Sequence, residues 1–229
     1  MKKSNIIMNN KKYIDLHLHS FHSKKNGDAI DWLDELSTLI KLRNKAIKAF
    51  SITDHDCFSF SLYQNFKKLI EEYKFDIVLF PGSEITIKRK NEKRAHILFI
   101  FDNQTSDSML NELEMIIHKH YQTDGTNLSN FIKELRDKNY NFTMIPHVGK
   151  CDSVSYEDVE EIINEISYVE SPILKPEFSR FINQANKKIK AIMFSDTHVW
   201  STYAGSKVYT LSNHIVFDDL KNNLNYEED

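Results

Sequence analysis

Three absences narrow the functions open to this sequence. Its two cysteines, Cys57 and Cys151, lie far apart and form no CxxC pair, an arrangement that needs no disulfide and is typical of a reducing compartment. No segment approaches the roughly 20 apolar residues of a membrane helix. The opening stretch, MKKSNIIMNNKK, has no apolar run long enough for a signal peptide. We therefore expect a cytoplasmic protein that does not contact a membrane.

An excess of charge of one sign is also missing. The chain carries 30 basic and 33 acidic residues, for a net charge of −3. This balance gives no overall basic surface for binding nucleic acid, but it does not exclude a local basic patch. Hydrophobic residues at 41% and charged residues at 28% are typical of a soluble globular protein.

Strand-like and helix-like segments alternate along the whole chain. Hydrophobic periodicity predicts helices over 29–42, 61–74, 108–121, 127–139, 156–166, 175–188 and 217–225. Strands are predicted over 12–20, 48–56, 76–88, 94–101, 141–149, 166–172, 190–198 and 205–212, with 89–93 as the turn of a candidate hairpin. The stretch QTDGTN around Gly125 is a weak boundary candidate, so one domain over 1–229 is favoured. The alternation predicts an α/β fold with a mainly parallel sheet, and about seven strands favour barrel-like closure.

The stretch IDLHLHS at 14–20 places polar residues on alternate positions of an apolar strand. Residues two apart in a strand share a face, so Asp15, His17 and His19 are expected on one side. A polar row on a buried strand is costly unless something binds it. A metal ion is the candidate that these side chains indicate.

Other predicted strands end in similar polar clusters, namely ITDHD, MIPHVG and FSDTH. In addition, LFPGSEIT carries a carboxylate, and RAHILFIF opens with a histidine. Active sites of parallel α/β folds lie at the carboxyl ends of the strands, where such side chains converge. Histidine with carboxylate suits Zn, Mn or Fe. A site of several such ions activates water and holds a phosphate for in-line displacement.

The ordered set of motifs resembles the PHP family (polymerase and histidinol phosphatase domains). The match comprises HLH at 17–19, TDHD at 53–56, GSE at 82–84, the histidine of RAH at 96, PH at 146–147 and SDTH at 195–198. Each motif is weak alone, but their order and spacing together are specific. The resemblance implies one PHP-type domain, a distorted, TIM-like (β/α)7 barrel with a trinuclear metal site at its carboxyl-terminal face.

The resemblance also implies a ligand set, with two or three divalent ions (Zn, Mn or Fe). The matching positions are His17, His19, His55, Glu84, His96, His147, Asp196 and His198, with Glu84 bridging and Asp54 orienting His55. The ninth ligand of the family falls in FHSKKNGDA, where Asp28 is the candidate at a longer spacing and His22 is a second choice. Asp28 could equally cap the helix that follows it. The pair His118 and His120 lies in a helical pattern, where residues two apart do not share a face, and is expected to face solvent.

The implied activity is that of a metal-dependent phosphoesterase in which a hydroxide bridging two ions attacks phosphorus. Asp196, His55 and Glu84 are the candidate catalytic residues. Lys150 and Arg94 are candidates for contacting the substrate phosphate, although the basic run 88–94 is more typical of a solvated hairpin than of a rim that attracts phosphate.

The motif arrangement favours nucleotides or nucleic-acid ends as substrates. Three alternatives stay open: a small-molecule phosphomonoesterase of the histidinol phosphatase type, a zinc amidohydrolase, and an inactive scaffold. Because similar modules occur joined to ATPase domains, a partner ATPase is also expected, whereas oligomeric state leaves no trace in the sequence.

Overall fold

Strands and helices alternate through the part of the chain that the structure, a computed structural model, describes: residues 10–23, 30–172 and 175–227. The strands are β1 (Lys12–Leu18), β2 (Ile47–Ile52), β3 (Val78–Leu79), β4 (Gly82–Lys88), β5 (Arg94–Phe101), β6 (Phe142–Pro146), β7 (Tyr168–Glu170), β8 (Lys190–Ile192), β9 (Val208–Thr210) and β10 (Asn225–Tyr226). The α-helices are α1 (Glu35–Asn44), α2 (Phe60–Glu72), α3 (Asp107–His120), α4 (Leu128–Asp137), α5 (Tyr156–Val159), α6 (Pro176–Ala185) and α7 (Phe217–Asn222). Short 3₁₀ helices span Glu160–Glu165 and Trp200–Thr202.

The strands form a mixed arrangement. One sheet has the order β10-β9-β1-β2-β3, a second β4-β5-β6, and a third β7-β8. Pairing is parallel for β1 with β2, β2 with β3, and β7 with β8. Strand β5 is antiparallel to both neighbours, which confirms the hairpin through 89–93, because so short a connection cannot join parallel strands. The predicted α/β class is confirmed, while the expectation of a mainly parallel sheet fails at β5 and at β9, which is antiparallel to both β1 and β10.

Single bridges link the ends of the three sheets. They join Leu18 to Thr197, His55 to Glu84, and His147 to Glu170, each in parallel orientation. The sheets thus follow one another around a common centre. Across residues 10–23, 30–172 and 175–227, however, they stay separate, and the expected closed (β/α)7 barrel is not formed. Strands β7 and β8 have three residues each, too few to extend a continuous ladder.

The alternation predicted for the first strand holds only in part, because the pairing of β1 with β2 shifts register between Asp15 and Leu18. Ile14 and Leu16 pack with Phe80, Leu98 and Ile145 in one apolar cluster between the strands. A larger apolar cluster lies between the strands and the helices. Leu18 belongs to this larger cluster instead, so the direction of His17 and His19 follows from their contacts with Glu84 rather than from strict alternation. Among residues 10–23, 30–172 and 175–227, no helix is long and apolar enough to cross a membrane.

Two helices differ from the periodic pattern. Helix α1 begins at Glu35 rather than 29, because the side chain of Asp34 accepts a hydrogen bond from Ser37 N at 2.8 Å and caps the helix there. The capping residue of this helix is therefore Asp34, and the interpretation of Asp28 as its cap is wrong. The segment predicted as one helix over 156–166 is an α-helical turn followed by a 3₁₀ helix.

Candidate metal centre

Polar side chains from six strands meet at one end of the fold. His17 lies in β1 and His19 just after it, while His55 follows β2 and His147 follows β6. His96 lies at the start of β5. Because β5 runs antiparallel to β6, with Ile97 paired to Pro146, its start lies beside the carboxyl end of β6. This pairing explains why the motif with His96 opens its strand, whereas His55 and His147 follow theirs.

Eight of the nine predicted ligands can be grouped around shared metal positions. The groups, each with ligand atoms within 4.8 Å of one another, are His19–His55–His198, His17–Glu84–His147, His17–His19–Asp196 and His55–Glu84–His96. The ninth candidate, Asp28, lies outside the described residues. The second choice, His22, is in none of these groups and stacks on Phe21 with ring centroids 4.0 Å apart.

Glu84 is at the middle of the cluster and is almost fully buried. Its Oε2 lies 3.1 Å from His17 Nε2 and 2.9 Å from His55 Nδ1, and its Oε1 lies 2.7 Å from His96 Nδ1 and 3.5 Å from His147 Nδ1. Burial would raise the pKa of Glu84, but the charge of His17 and hydrogen bonds from the surrounding imidazoles outweigh it and hold the pKa well below its usual value. Each oxygen faces a different set of histidines, as a bridging carboxylate requires.

The approach of β4 to the TDHD loop positions Glu84. A Cβ at Gly82 would lie 2.3 Å from Ser51 Oγ, so only glycine permits this close contact. Glu84 N then donates to Asp54 O at 3.1 Å, and Asp56 N donates to Glu84 O at 2.8 Å. These bonds place His55 directly beside the Glu84 carboxylate.

The Asp54 carboxylate does not orient His55, contrary to the expectation from the motif. It accepts hydrogen bonds from the backbone N and the Oγ of Ser20. Burial raises the pKa of Asp54 to about 7. Asp54 therefore fixes the chain just after His19.

The imidazoles crowd one another around the shared centre. The ring centroid of His19 lies 4.0 Å from that of His198 and 4.6 Å from that of His55. Burial, with the charge of neighbouring histidines, lowers the pKa of His19 to about 3. His19 is thus a neutral imidazole at neutral pH, the form that binds a metal. Its Nδ1 is buried and finds no hydrogen bond among the described residues.

Asp196 lies after β8 in a left-handed backbone conformation, with φ of 50°. Its Oδ1 lies 3.3 Å from His17 Nε2 and 3.5 Å from His19 Nε2, whereas Oδ2 accepts a hydrogen bond from Lys150 Nζ at 2.8 Å. Burial would raise the pKa of Asp196, but His17, His19 and Lys150 hold it well below its usual value. Its two oxygens therefore face different partners.

The two candidate phosphate-contacting residues have different surroundings. Lys150 lines a cleft of about 700 Å³ whose wall also includes His55, Glu84 and Asp196. Arg94 is exposed at the start of β5 and is not among the cleft-lining side chains.

Two of the other four basic residues of the hairpin are ion-paired. Arg89 Nε pairs with Asp158 at 2.8 Å, and Lys88 pairs with Asp124 at 3.1 Å. These contacts favour the alternative of a solvated, ion-paired hairpin.

Sequence reasoning missed Glu170, the last residue of β7, which is completely buried. Its Oε2 lies 2.8 Å from His17 Nδ1 and 3.0 Å from His147 Nε2. Its Oε1 lies 3.2 Å from Lys150 Nζ. The signal that could have found it is the segment ISYVESP, an apolar strand ending in a carboxylate like the other motifs.

Solved structures with this fold share little sequence with the chain. PsfC from Pseudomonas syringae PB-5123 has a TM-score of 0.54 at 15% identity, over 93% of this chain and 89% of that one. A protein from Bifidobacterium adolescentis ATCC 15703, proposed to be a metal-dependent phosphoesterase, has a TM-score of 0.52 at 12% identity, over 91% and 93% of the two chains. The chain is similar in fold to these proteins. No protein-family model and no curated protein matches it.

A third structure is a two-domain protein from Bacteroides vulgatus ATCC 8482 that contains a predicted PHP-like metal-dependent phosphoesterase. Its TM-score is 0.59 at 15% identity, and the match covers 89% of this chain but 60% of that longer one. The fold is thus similar to one described as PHP-like, which agrees with the resemblance in the motifs. At these identities the likeness concerns the fold, and the chemistry has to be argued from the side chains of this chain.

Proposed function

We propose that the chain is a metal-dependent phosphoesterase. The observation that carries the proposal is the geometry of Glu84, a buried carboxylate with histidine nitrogens against both of its oxygens. Burying an ionised carboxylate among so many imidazoles is costly in the absence of a cation that binds them together. Nitrogen and carboxylate oxygen without thiolate suit Zn, Mn or Fe, so the residues present fit such ions.

Eight side chains would hold the ions, two or three in number: His17, His19, His55, Glu84, His96, His147, Asp196 and His198. Bound divalent ions lower the pKa of water and neutralise charge on phosphate oxygens. Among the described residues, the third ion would be held by His19, His55 and His198. Asp28, the remaining candidate ligand, lies outside the described residues.

The side chains of the cleft define what the chain itself contributes. Lys150 Nζ lies at the cleft wall and can donate hydrogen bonds to a phosphate oxygen. Asp196 Oδ2 is turned toward Lys150 and holds it at the cleft wall, whereas Oδ1 faces His17 and His19, where it would hold an ion. Its lowered pKa makes Asp196 a weak acceptor for a proton of the attacking water. Glu84 and His55 position the reacting groups, because a metal-bound imidazole is no longer a free base.

The substrate we propose is a nucleotide or a nucleic-acid end. A cleft of about 700 Å³ is large enough for a nucleotide-sized ligand. A small phosphomonoester, as in histidinol phosphatases, is the second candidate, since the same metal geometry serves both. The expected partner ATPase and the cytoplasmic location stay predictions from the sequence.

Hydrolysis assays with added manganese or zinc test the proposal. A generic phosphomonoester, a phosphodiester and a labelled single-stranded oligonucleotide are compared. His17→Ala is the inactive variant, and His118→Ala, which removes an exposed histidine from α3, is the matched control.

Metal-dependent hydrolysis that His17→Ala abolishes and His118→Ala retains is the expected result. Faster cleavage of the oligonucleotide or the phosphodiester supports the nucleic-acid substrate, and faster cleavage of the phosphomonoester supports the second candidate. Absence of hydrolysis of all three substrates by metal-loaded protein would contradict the proposal and favour the scaffold alternative.

A further inference from the structure

Each carboxylate oxygen of the buried Glu170 has two polar neighbours. Its Oε2 lies against ring nitrogens of His17 and His147, and its Oε1 lies against Lys150 Nζ and accepts a hydrogen bond from Phe194 N at 3.2 Å. These partners come from β1, from the segment after β6 and from the segment after β8. One side chain therefore ties together three of the segments that carry the site.

The two histidines lie between two carboxylates. His17 places Nδ1 2.8 Å from Glu170 and Nε2 3.1 Å from Glu84. His147 places Nε2 3.0 Å from Glu170 and Nδ1 3.5 Å from Glu84. In both rings one nitrogen faces Glu170 and the other faces the centre of the cluster. A ring nitrogen that donates its proton to a carboxylate leaves the opposite nitrogen unprotonated and able to bind an ion.

We propose that Glu170 is a positioning residue that acts on both histidines at once. It accepts the proton on His17 Nδ1, and a small rotation of the His147 ring would direct the Nε2 proton, 3.0 Å from Glu170 but outside hydrogen-bonding geometry, to the same carboxylate. His17 Nε2 and His147 Nδ1 are thereby aimed at the ions beside Glu84. Through Oε1 it also holds Lys150 at the cleft wall. The inference rests on the proposed metal-dependent function and adds to it a residue that binds no ion itself.

A second buried carboxylate provides the control. Asp219 in α7 accepts hydrogen bonds from Ser212, Val216 and Asn223, all within seven positions of it. It is buried to a similar degree but contacts none of the candidate ligands. Asp219→Asn therefore reports what the loss of a buried carboxylate does to the fold alone.

The test compares Glu170→Gln with wild type and Asp219→Asn by equilibrium dialysis against manganese, with metal analysis of the protein. Glutamine keeps the volume but presents an acceptor on one atom only, so it cannot serve the histidines on one side and Lys150 with Phe194 N on the other. We expect the same number of ions per chain at saturation, bound roughly 10–100-fold more weakly, as for other residues that orient metal ligands. Asp219→Asn is expected to bind as wild type does.

A spectroscopic readout separates positioning from a general loss of structure. In zinc-loaded wild type, ring ¹⁵N chemical shifts are expected to show His17 protonated at Nδ1 and His147 protonated at Nε2. In Glu170→Gln at least one of these assignments should be lost, while the melting temperature of the metal-free variant stays close to that of Asp219→Asn.

The two proposals fail in different ways. Wild type that binds no manganese would overturn the metal-dependent function, and this inference with it. Wild type that binds manganese, with an unchanged affinity in Glu170→Gln, would overturn the positioning role alone. Loss of one ion per chain with unchanged affinity for the others would also overturn it, because Glu170 would then be a ligand.

Discussion

At the scale of single residues, the candidate centre depends on a few carboxylates buried at high cost. Glu84, Asp196 and Glu170 have their pKa held well below the usual value by histidines and Lys150, despite burial. Asp54 behaves in the opposite way, because its hydrogen bonds from Ser20 do not outweigh burial. Cationic or metal-binding groups surround the first three carboxylates, whereas the Asp54 carboxylate fixes the backbone at Ser20, just after His19.

Asp54 should make the folding stability of the protein depend on pH. Its pKa in the fold, about 7, is above the ordinary value of 3.8, so folding favours the protonated acid. Its contribution to stability is full below the ordinary pKa and is lost as pH rises through the folded pKa, by about 1.4 kcal/mol for each unit of the shift.

Urea unfolding of metal-free protein at about pH 5 and about pH 8 measures this loss. As the pH rises from about 5 to about 8, Asp54→Asn, which cannot ionise, should lose less unfolding free energy than wild type. A difference between the two proteins that does not change with pH would contradict the assignment.

At the scale of elements, local capping explains where the helices begin. The apolar pattern before α1 starts near 29, yet the helix starts at Glu35 because Asp34 accepts from Ser37 N and Ser37 Oγ. Both Asp28 and Asp34 are residues that cap helices well, and only the three-dimensional structure distinguishes them. The same limit applies to 156–166, where periodicity did not reveal the change to a 3₁₀ helix.

Asp34→Ala should destabilise the protein by about 1 kcal/mol, because α1 loses its capping acceptor. Asp137→Ala is the control, since it removes an exposed carboxylate that pairs with Lys133 in α4 and should change stability by less than about 0.5 kcal/mol. Chemical denaturation of both variants measures the difference. Equal effects in the two variants would refute the capping assignment.

At the scale of the whole molecule, the sequence predicts the residues of the site better than the pairing of the strands. The spacing of histidines at strand ends is recorded directly in the sequence, so motifs such as HLH and SDTH predict which side chains converge. The pairing of Glu170 with His17 depends on β7 lying beside β6, which no local pattern records. The barrel closure that the sequence predicted is not shown, because strands of three residues pair too briefly to extend a continuous ladder.

Metal binding should also stabilise the whole molecule. An ion that binds only the folded chain adds stability that grows with its concentration, by about 2.7 kcal/mol at a hundredfold excess over the dissociation constant. The melting temperature of wild type should therefore rise with added manganese and fall back with a chelator. His17→Ala should show a smaller rise, and an equal rise in both proteins would place the binding elsewhere.

The central claim is that Glu84 joins two metal positions, and electron paramagnetic resonance of the manganese-loaded protein tests it most directly. Two Mn²⁺ ions bridged by one carboxylate give an exchange-coupled spectrum, which we expect for wild type and not for Glu84→Ala. A wild-type spectrum of magnetically isolated Mn²⁺ at full loading would contradict the account.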